Sequence, residues 1–66
     1  MSVLKVIELL ASSDKSWEDA AQNAVKEAGK SLKNIRAVNV SNLSCVIVKN
    51  KISKYRVNVK VTFEVE

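Results

Sequence analysis

The last thirteen residues of the chain alternate between apolar and polar side chains without a break. In KYRVNVKVTFEVE, every odd position from Tyr55 to Val65 is apolar, and every even position from Lys54 to Glu66 is polar. Because side chains alternate sides along a strand, this pattern predicts a β-strand with one apolar and one polar face. Thirteen residues span roughly 43 Å at about 3.3 Å each, whereas a globule of this chain length has a radius of gyration of about 11 Å. One copy cannot cover such a strand, so we expect copies to pair or pack with each other.

A helical pattern lies in the first half of the chain. Ser16 is placed to cap a helix that begins at Trp17, and Asp19 stands where the acid of a capping box stands. Apolar residues then recur at helical spacing as far as Leu32, and alanines dominate this apolar face. Acids near the start and lysines near the end suit the helix dipole. We therefore predict a helix that ends near Lys33 and that a sheet can approach closely.

Two more strands and the segments that join them follow from the remaining pattern. The residues from Val3 to Leu10 predict a first strand, and polar residues 11–15 predict a loop. The residues from Ile35 to Val40 predict a second strand, residues 41–44 are less regular, and the residues from Cys45 to Val48 extend the strand after a bend. Residues 49–51 predict a turn, because Asn50 tolerates the left-handed conformation.

The predicted order of elements is strand, helix, strand, strand, which indicates an α+β fold in one domain covering residues 1–66. The second and third strands form an antiparallel hairpin, and the helix returns the chain so that the first and second strands run in the same direction. In an all-antiparallel sheet, the long third strand must then lie in the middle. We expect this sheet to wrap the helix with its apolar face and to leave a polar face behind.

Length and composition narrow the possible functions. A chain of 66 residues buries only about 60% of its unfolded surface, and small domains usually gain stability from disulfides, a metal or oligomerisation. Cys45 is the only cysteine and histidine is absent, so oligomerisation is the favoured route. With no histidine, no nucleophile beside a base and no glycine-rich loop, we expect no enzymatic activity. We expect Cys45 to be buried and inert.

The net charge of the chain bears on nucleic-acid binding, and the length of its apolar runs bears on membrane insertion. The net charge is +4, and Lys54, Arg56 and Lys60 alternate along one strand face, where they could follow a phosphate backbone. The only tryptophan and tyrosine lie in apolar patterns, so we do not expect nucleic-acid binding. No apolar run approaches the ~20 residues of a membrane helix. The lone thiol and the lack of a secretory signal predict a cytoplasmic protein without membrane contact.

Three segments of the chain resemble the dodecins, small flavin-binding proteins. These segments are KVIELL, SSDKSWEDAAQNAVKEAGKSLKNIR and KISKYRVNVKVTFEVE, and they cover nearly the whole chain. The helix opening SWEDA and the strand YRVNVKVTFEVE are the most specific parts. The resemblance implies a hollow shell of twelve identical subunits that binds riboflavin, FMN or a lumichrome-like small aromatic ligand. It also implies a storage or buffering role without turnover.

The resemblance also implies where a flavin would bind, and this chain departs from the family there. A family tryptophan at the start of the second strand stacks on the flavin ring, but this chain has Ala37 at that position. A glutamine of the third strand commonly bonds the ring, and Arg56 stands at its place. Bacterial members often carry arginines near the positions of Ser44 and Glu64, where they assist phosphate-bearing ligands. We therefore expect flavin binding that is weakened or altered, at a site formed by these four positions.

Several alternatives remain open at this point. Ala37 either leaves a gap for another ligand or packs as a small strand residue. Arg56 either reaches a ligand carbonyl or carboxylate or pairs with an acid of a neighbouring chain. Trp17 is either a substitute stacking platform or, as we favour, an anchor in the core or at a subunit contact. Glu64 and Glu66, repeated around a symmetry axis, could form an oxygen ring for a divalent cation such as calcium or magnesium, although a solvated strand end is the simpler interpretation.

Overall fold

The computed structural model describes residues 3–65, and within them the chain forms one helix and three strands. In chain order these are β1 (Val3–Ser13), α1 (Trp17–Ala28), β2 (Ile35–Val48) and β3 (Lys51–Val65). β3 lies between β1 and β2 and is antiparallel to both. The predicted α+β fold with the long third strand in the centre is therefore confirmed. Glu66, one of the two predicted metal ligands, lies outside the described residues.

The core is a narrow seam between β3 and α1. Val57, Val59 and Val61 on alternate positions of β3 are at most 1% exposed. They pack against a stripe of alanines spaced four residues apart on the helix, which are Ala20, Ala24 and Ala28. Because a methyl group is the whole side chain of alanine, the helix lies close to the sheet. The helix packs mainly against β1 and β3 and scarcely against β2.

The two faces of the sheet differ less in polarity than the sequence predicts. We call the side that contacts α1 the helix face and the opposite side the helix-free face. Residues paired directly across two strands share a face, so the register places Leu4, Val6 and Leu10 of β1 on the helix-free face, opposite polar residues of β3. Their exposed fractions are 55%, 57% and 68%. The expectation of a polar face is right for β3 and wrong for β1.

The second strand is continuous, in agreement with the predicted extension from Cys45 to Val48, and the less regular residues 41–44 belong to it. It runs from Ile35 to Val48 with three irregularities in its register, at Ile35/Ala37, Val40/Asn42 and Val46/Ile47. A bulge inserts one extra residue into a strand, so residues beyond it that are an odd number of positions away can point to the same side as residues before it. The apolar positions Ile35 and Val38 are three residues apart for this reason, yet both lie on the helix face.

Two predicted boundaries are wrong. β1 continues through Ser13, because residues 11–13 pair with β3 and the Ser13 hydroxyl donates to Asp19 Oδ2 at 2.6 Å. The helix ends at Ala28 instead of near Lys33. After Gly29, a poor helix former, the next two amides donate to carbonyls three residues back in a tight turn. The predicted cap at Ser16 is confirmed, since its hydroxyl accepts from the Asp19 amide at 3.0 Å.

The β2–β3 hairpin makes the molecule long and thin. The principal extents are 51 × 20 × 13 Å, and the radius of gyration is 13.4 Å, above the ~11 Å of a compact chain of this size. The hairpin closes through a two-residue turn in which Lys49 and Asn50 have positive φ angles of 52° and 62°. Such a turn matches the twist of the paired strands. The predicted turn is thus confirmed, although Lys51 belongs to β3.

Candidate functional site

Ala37 lies exposed on the helix-free face of β2, immediately after the first bulge. Its cross-strand partner is Thr62 of β3, and Thr62 in turn is paired with Val6 of β1. This row of three small or aliphatic side chains presents a shallow surface without an aromatic ring. The position at which the family resemblance implies a stacking tryptophan is therefore accessible, and its side chain here is a single methyl group.

Glu64 is held by a neighbouring arginine that the sequence pattern did not single out. Arg36 occupies the bulge of β2, and its Nη2 and Nε atoms donate to Glu64 Oε1 at 2.8 and 3.1 Å. The pair is partly exposed, so its net contribution to stability is at most about 1 kcal/mol. The irregular apolar spacing from Ile35 to Val38 is the sequence signal that could have revealed this bulge. The arginine occupies one carboxylate oxygen of Glu64, which makes that carboxylate a poorer ligand for a cation.

Arg56 and Ser44 form a second group on the same face. The two are directly opposite in the register, and Ser12 of β1 lies on the other side of Arg56. All three are exposed. Within residues 3–65 the guanidinium of Arg56 forms no hydrogen bond or ion pair. A cation flanked by two serines is suited to an anionic or carbonyl oxygen.

A single chain does not bring the four predicted flavin-site residues together. Ala37 and Glu64 are near one end of the helix-free face, whereas Ser44 and Arg56 are near the other. Ala37 is paired with Thr62, and Ser44 is paired with Arg56. These two residues of β3 are six positions apart, which corresponds to about 20 Å along a strand. This distance exceeds the length of a flavin ring system. A site that uses both groups must therefore take them from different copies of the chain.

The aromatic side chains all lie on the other face of the sheet. The chain has one tryptophan, one tyrosine and one phenylalanine. Trp17 meets Tyr55 edge to face, with ring centroids 5.1 Å apart and an interplanar angle of 76°, and its Nε1 donates to the Ser44 carbonyl at 3.0 Å. Phe63 pairs with Ile35 on the helix face. Trp17 is thus an anchor at the edge of the core, as favoured from the sequence, and it faces away from Ala37.

Cys45 is a free thiol that is only partly buried, which corrects the expectation of full burial. It lies opposite Tyr55 on the helix face, at the end of the sheet where the helix cover stops. Among residues 3–65 there is no group of three or more acidic, cysteine or histidine side chains that could hold a metal ion. The same residues include no helix that is long and apolar enough to cross a membrane.

An open apolar groove runs between α1 and β2, where the helix leaves the sheet uncovered. We call it the α1–β2 groove. Its volume is about 490 Å³, and it is lined by Trp17, Glu18, Ala21, Gln22, Val25, Val38, Val40, Leu43 and Val57. Val40 and Leu43 on its wall are 48% and 54% exposed. The groove is on the helix face, so it is separate from the surface that carries Ala37 and Arg56.

Comparison with known proteins agrees with this architecture. The family model described as Dodecin matches residues 3–66. Calcium dodecin of Mycobacterium tuberculosis is 36% identical over 64 residues, which are 97% of this chain and 90% of that protein. Its crystal structure, described as that of a calcium-chelating antigen with a calcium-binding site, has a TM-score of 0.87 at 34% identity and covers 98% of this chain and 93% of that one.

A second relative is the dodecin of Thermus thermophilus. The crystal structure of an arginine-to-alanine variant of it superposes with a TM-score of 0.94 at 29% identity, with 100% of this chain and 98% of that chain covered. The solved forms of that protein include variants in which a tryptophan was replaced by phenylalanine or an arginine by alanine. The dodecin of Streptomyces coelicolor, at 23% identity and a TM-score of 0.95, shares the fold. By its sequence along almost its whole length and by its fold, this chain belongs to the dodecin family.

Proposed function

We propose that the chain assembles into a closed homododecameric shell that stores or buffers a flavin without chemical turnover, and that it binds this flavin more weakly than members with a stacking tryptophan. The observation that carries the proposal is the amount of apolar surface that one copy leaves open. Ten large aliphatic residues among residues 3–65 are between 37% and 68% exposed. Monomeric proteins rarely expose contiguous apolar patches of this kind unless a partner covers them.

The helix-free face supports the flavin part of the proposal. Ala37 is accessible beside the Arg36–Glu64 pair, and Arg56 has no hydrogen-bond or ion-pair partner among residues 3–65. The ~20 Å between these groups is bridged when two copies meet, so the binding site is completed by assembly. A stacked aromatic plane contributes about 1–3 kcal/mol to binding such a ring. Its absence lowers the expected affinity by roughly one to two powers of ten for each face.

Mass measurement and flavin titration test the proposal together. Native mass spectrometry should give a particle of about twelve times the 7.3 kDa chain mass. Titration of this particle with riboflavin and FMN, followed by quenching of flavin fluorescence, should show measurable but weak binding. A particle of single-chain mass would contradict the shell. Submicromolar affinity for either flavin would show that the missing ring is not needed.

Calcium is a second candidate ligand, favoured by the similarity to calcium dodecin. Calcium requires six to eight oxygen ligands, and Glu64 already shares one oxygen with Arg36. A calcium site involving Glu64 and Glu66 would therefore draw carboxylates from several copies around an axis. The shell would be stabilised by calcium, because an ion bound only to the folded state raises the free energy of unfolding.

Thermal melting separates calcium binding from flavin binding. If calcium is a ligand, adding calcium at a hundred times its dissociation constant should stabilise the shell by about 2.7 kcal/mol, and a chelator should reverse the shift. Glu64→Gln should reduce the shift, whereas Glu27→Gln, which changes an exposed acid of the helix paired with Lys30, should leave it unaltered. Equal melting temperatures with calcium and with chelator would remove calcium from consideration.

A further inference from the structure

The β2–β3 hairpin extends beyond the rest of the molecule as a two-stranded arm. The last row of the three-stranded sheet is formed by Ser13, Tyr55 and Cys45. Residues 46–54, which we call the hairpin arm, pair only with each other. A two-stranded hairpin alone in water is marginally stable at best. The arm therefore needs a surface against which to pack.

The hairpin arm carries an apolar cluster close to its tip. Ile47 and Ile52 are 57% and 53% exposed, whereas Val48, which is 51% exposed, points to the opposite face of the arm with its partner Lys51. Ile47 and Ile52 are directly opposite in the register, so their side chains form one cross-strand pair. The tight turn at Lys49 and Asn50 holds the ends of the two strands together. The arm thus presents a small and well-defined apolar knob.

The α1–β2 groove is an apolar concavity of about 490 Å³, and the hairpin arm of the same chain cannot enter it. β2 and β3 continue from the groove wall at Leu43 and Val57 straight into the arm. Folding the arm back onto this wall would require both strands to reverse within a few residues and would break their pairing. The groove and the knob of one copy are thus both available to other copies.

Charge also makes the two surfaces complementary. The arm carries three lysines, Lys49, Lys51 and Lys54, and no acid. Glu18 lines the rim of the groove, and within residues 3–65 it has no ion-pair partner. A lysine beside Glu18 would steer the arm to this end of the groove, where Trp17 provides a flat apolar wall.

We propose that the hairpin arm of one copy inserts the cross-strand pair Ile47 and Ile52 into the α1–β2 groove of a second copy, with one of its lysines next to Glu18. This inference rests on the proposed homo-oligomeric shell and specifies one contact that builds it. Arm and groove are different surfaces, so the contact is head to tail, and such contacts close into rings when the rotation between copies allows it. Each copy then both gives an arm and receives one.

Disulfide trapping between two single-cysteine variants tests the contact. Both are made in a Cys45→Ser background, one with Ile52→Cys on the arm and the other with Gln22→Cys on the groove. Ile52 and Gln22 are exposed, so neither change disturbs the core. When equal amounts of the two variants are refolded together and oxidised, the arm-to-groove disulfide should be more than twice as abundant as either symmetric disulfide, which is the share that random pairing gives. Mass spectrometry of the cross-linked peptides distinguishes the three disulfides. The disulfide requires Cα atoms about 4.4–6.8 Å apart and therefore reports direct contact.

A matched control uses an exposed aliphatic residue on the opposite face of the sheet. Leu10→Cys, at a residue that is 68% exposed on the helix-free face, should give no excess of the mixed disulfide with Gln22→Cys. The mass of the assembly is measured on the same samples before oxidation. A shell-sized particle without the arm-to-groove disulfide would overturn the docking contact and leave the shell in place. A particle of single-chain mass would overturn both.

Discussion

Replacing Ala37 with tryptophan should tighten riboflavin binding by one to two powers of ten. Ala37 is exposed on the helix-free face and its cross-strand neighbour Thr62 is small, so an indole fits there without disturbing the core. Stacking on a ring system contributes about 1–3 kcal/mol, which corresponds to about a 5- to 150-fold change in the dissociation constant. Fluorescence quenching of riboflavin, titrated with wild type and Ala37→Trp under the same conditions, measures this change.

The control for this gain is an indole placed one row away on the same face. Asn39, like Ala37, is exposed on β2 and points to the helix-free side, opposite Lys60. Asn39→Trp adds the same aromatic surface but not at the position implied by the family, so it should tighten binding much less. Equal gains from both variants would indicate non-specific adsorption of flavin. No gain from Ala37→Trp would mean that the pocket differs from the family at further positions.

Most of the fold could be predicted because one strand dominates the sequence pattern. The unbroken alternation from Tyr55 to Val65 fixed which side of β3 is buried, and Val57, Val59 and Val61 are indeed the most buried large side chains. Once β3 was known to form a hairpin with β2, the strand order followed from the direction in which the helix returns the chain. The alternation of apolar and polar residues and the lengths of the segments that join the strands are local properties, so they can be recognised in a single sequence.

The errors arose where pairing between strands outweighed the local pattern. Ser12 and Ser13 resemble loop residues, yet they pair with Arg56 and Tyr55 and lengthen β1. The bulges of β2 interrupt its alternation, which made residues 41–44 look like a bend between two parts of the strand. The helix was predicted too long because Leu32 keeps the helical spacing, although its amide donates to the Ala28 carbonyl in a turn after Gly29. Pairing with β3 decided the boundaries of the strands, whereas local hydrogen bonds of the turn after Gly29 decided the end of the helix.

The candidate site was predicted less completely than the fold, because its predicted residues lie at two ends of one face within a single chain. The sequence pattern places Arg56 and Glu64 on one face of β3, and the register agrees. It could not show that Arg36, carried by a bulge, would bind Glu64. Nor could it show that Ala37 is about 20 Å from Arg56 within one chain. Whether residues that are distant within one chain form one site depends on contacts between copies, which a single sequence does not encode as a local pattern.

Removing the indole of Trp17 should lower the free energy of unfolding substantially. Trp17→Ala loses the edge-to-face contact with Tyr55, the hydrogen bond to the Ser44 carbonyl and part of the wall of the α1–β2 groove. Buried tryptophan-to-alanine changes cost about 3–5 kcal/mol, and because Trp17 is only partly buried we expect about 3 kcal/mol. Chemical denaturation at a fixed protein concentration measures the loss, since the stability of an oligomer depends on concentration.

Trp17→Phe distinguishes the contribution of the aromatic ring from that of its hydrogen bond. It also tests the alternative that Trp17 is the residue that stacks on flavin. Phenylalanine keeps an aromatic ring near Tyr55 but cannot donate to the Ser44 carbonyl, so the expected cost is only about 0.5–1.5 kcal/mol. Because Trp17 and Ala37 lie on opposite faces of the sheet, the flavin affinity of the assembled Trp17→Phe protein should equal that of wild type. A tenfold loss of flavin affinity with the assembly intact would instead identify Trp17 as the stacking ring. The flavin site would then lie in the α1–β2 groove, and the helix-free face would lose its proposed role.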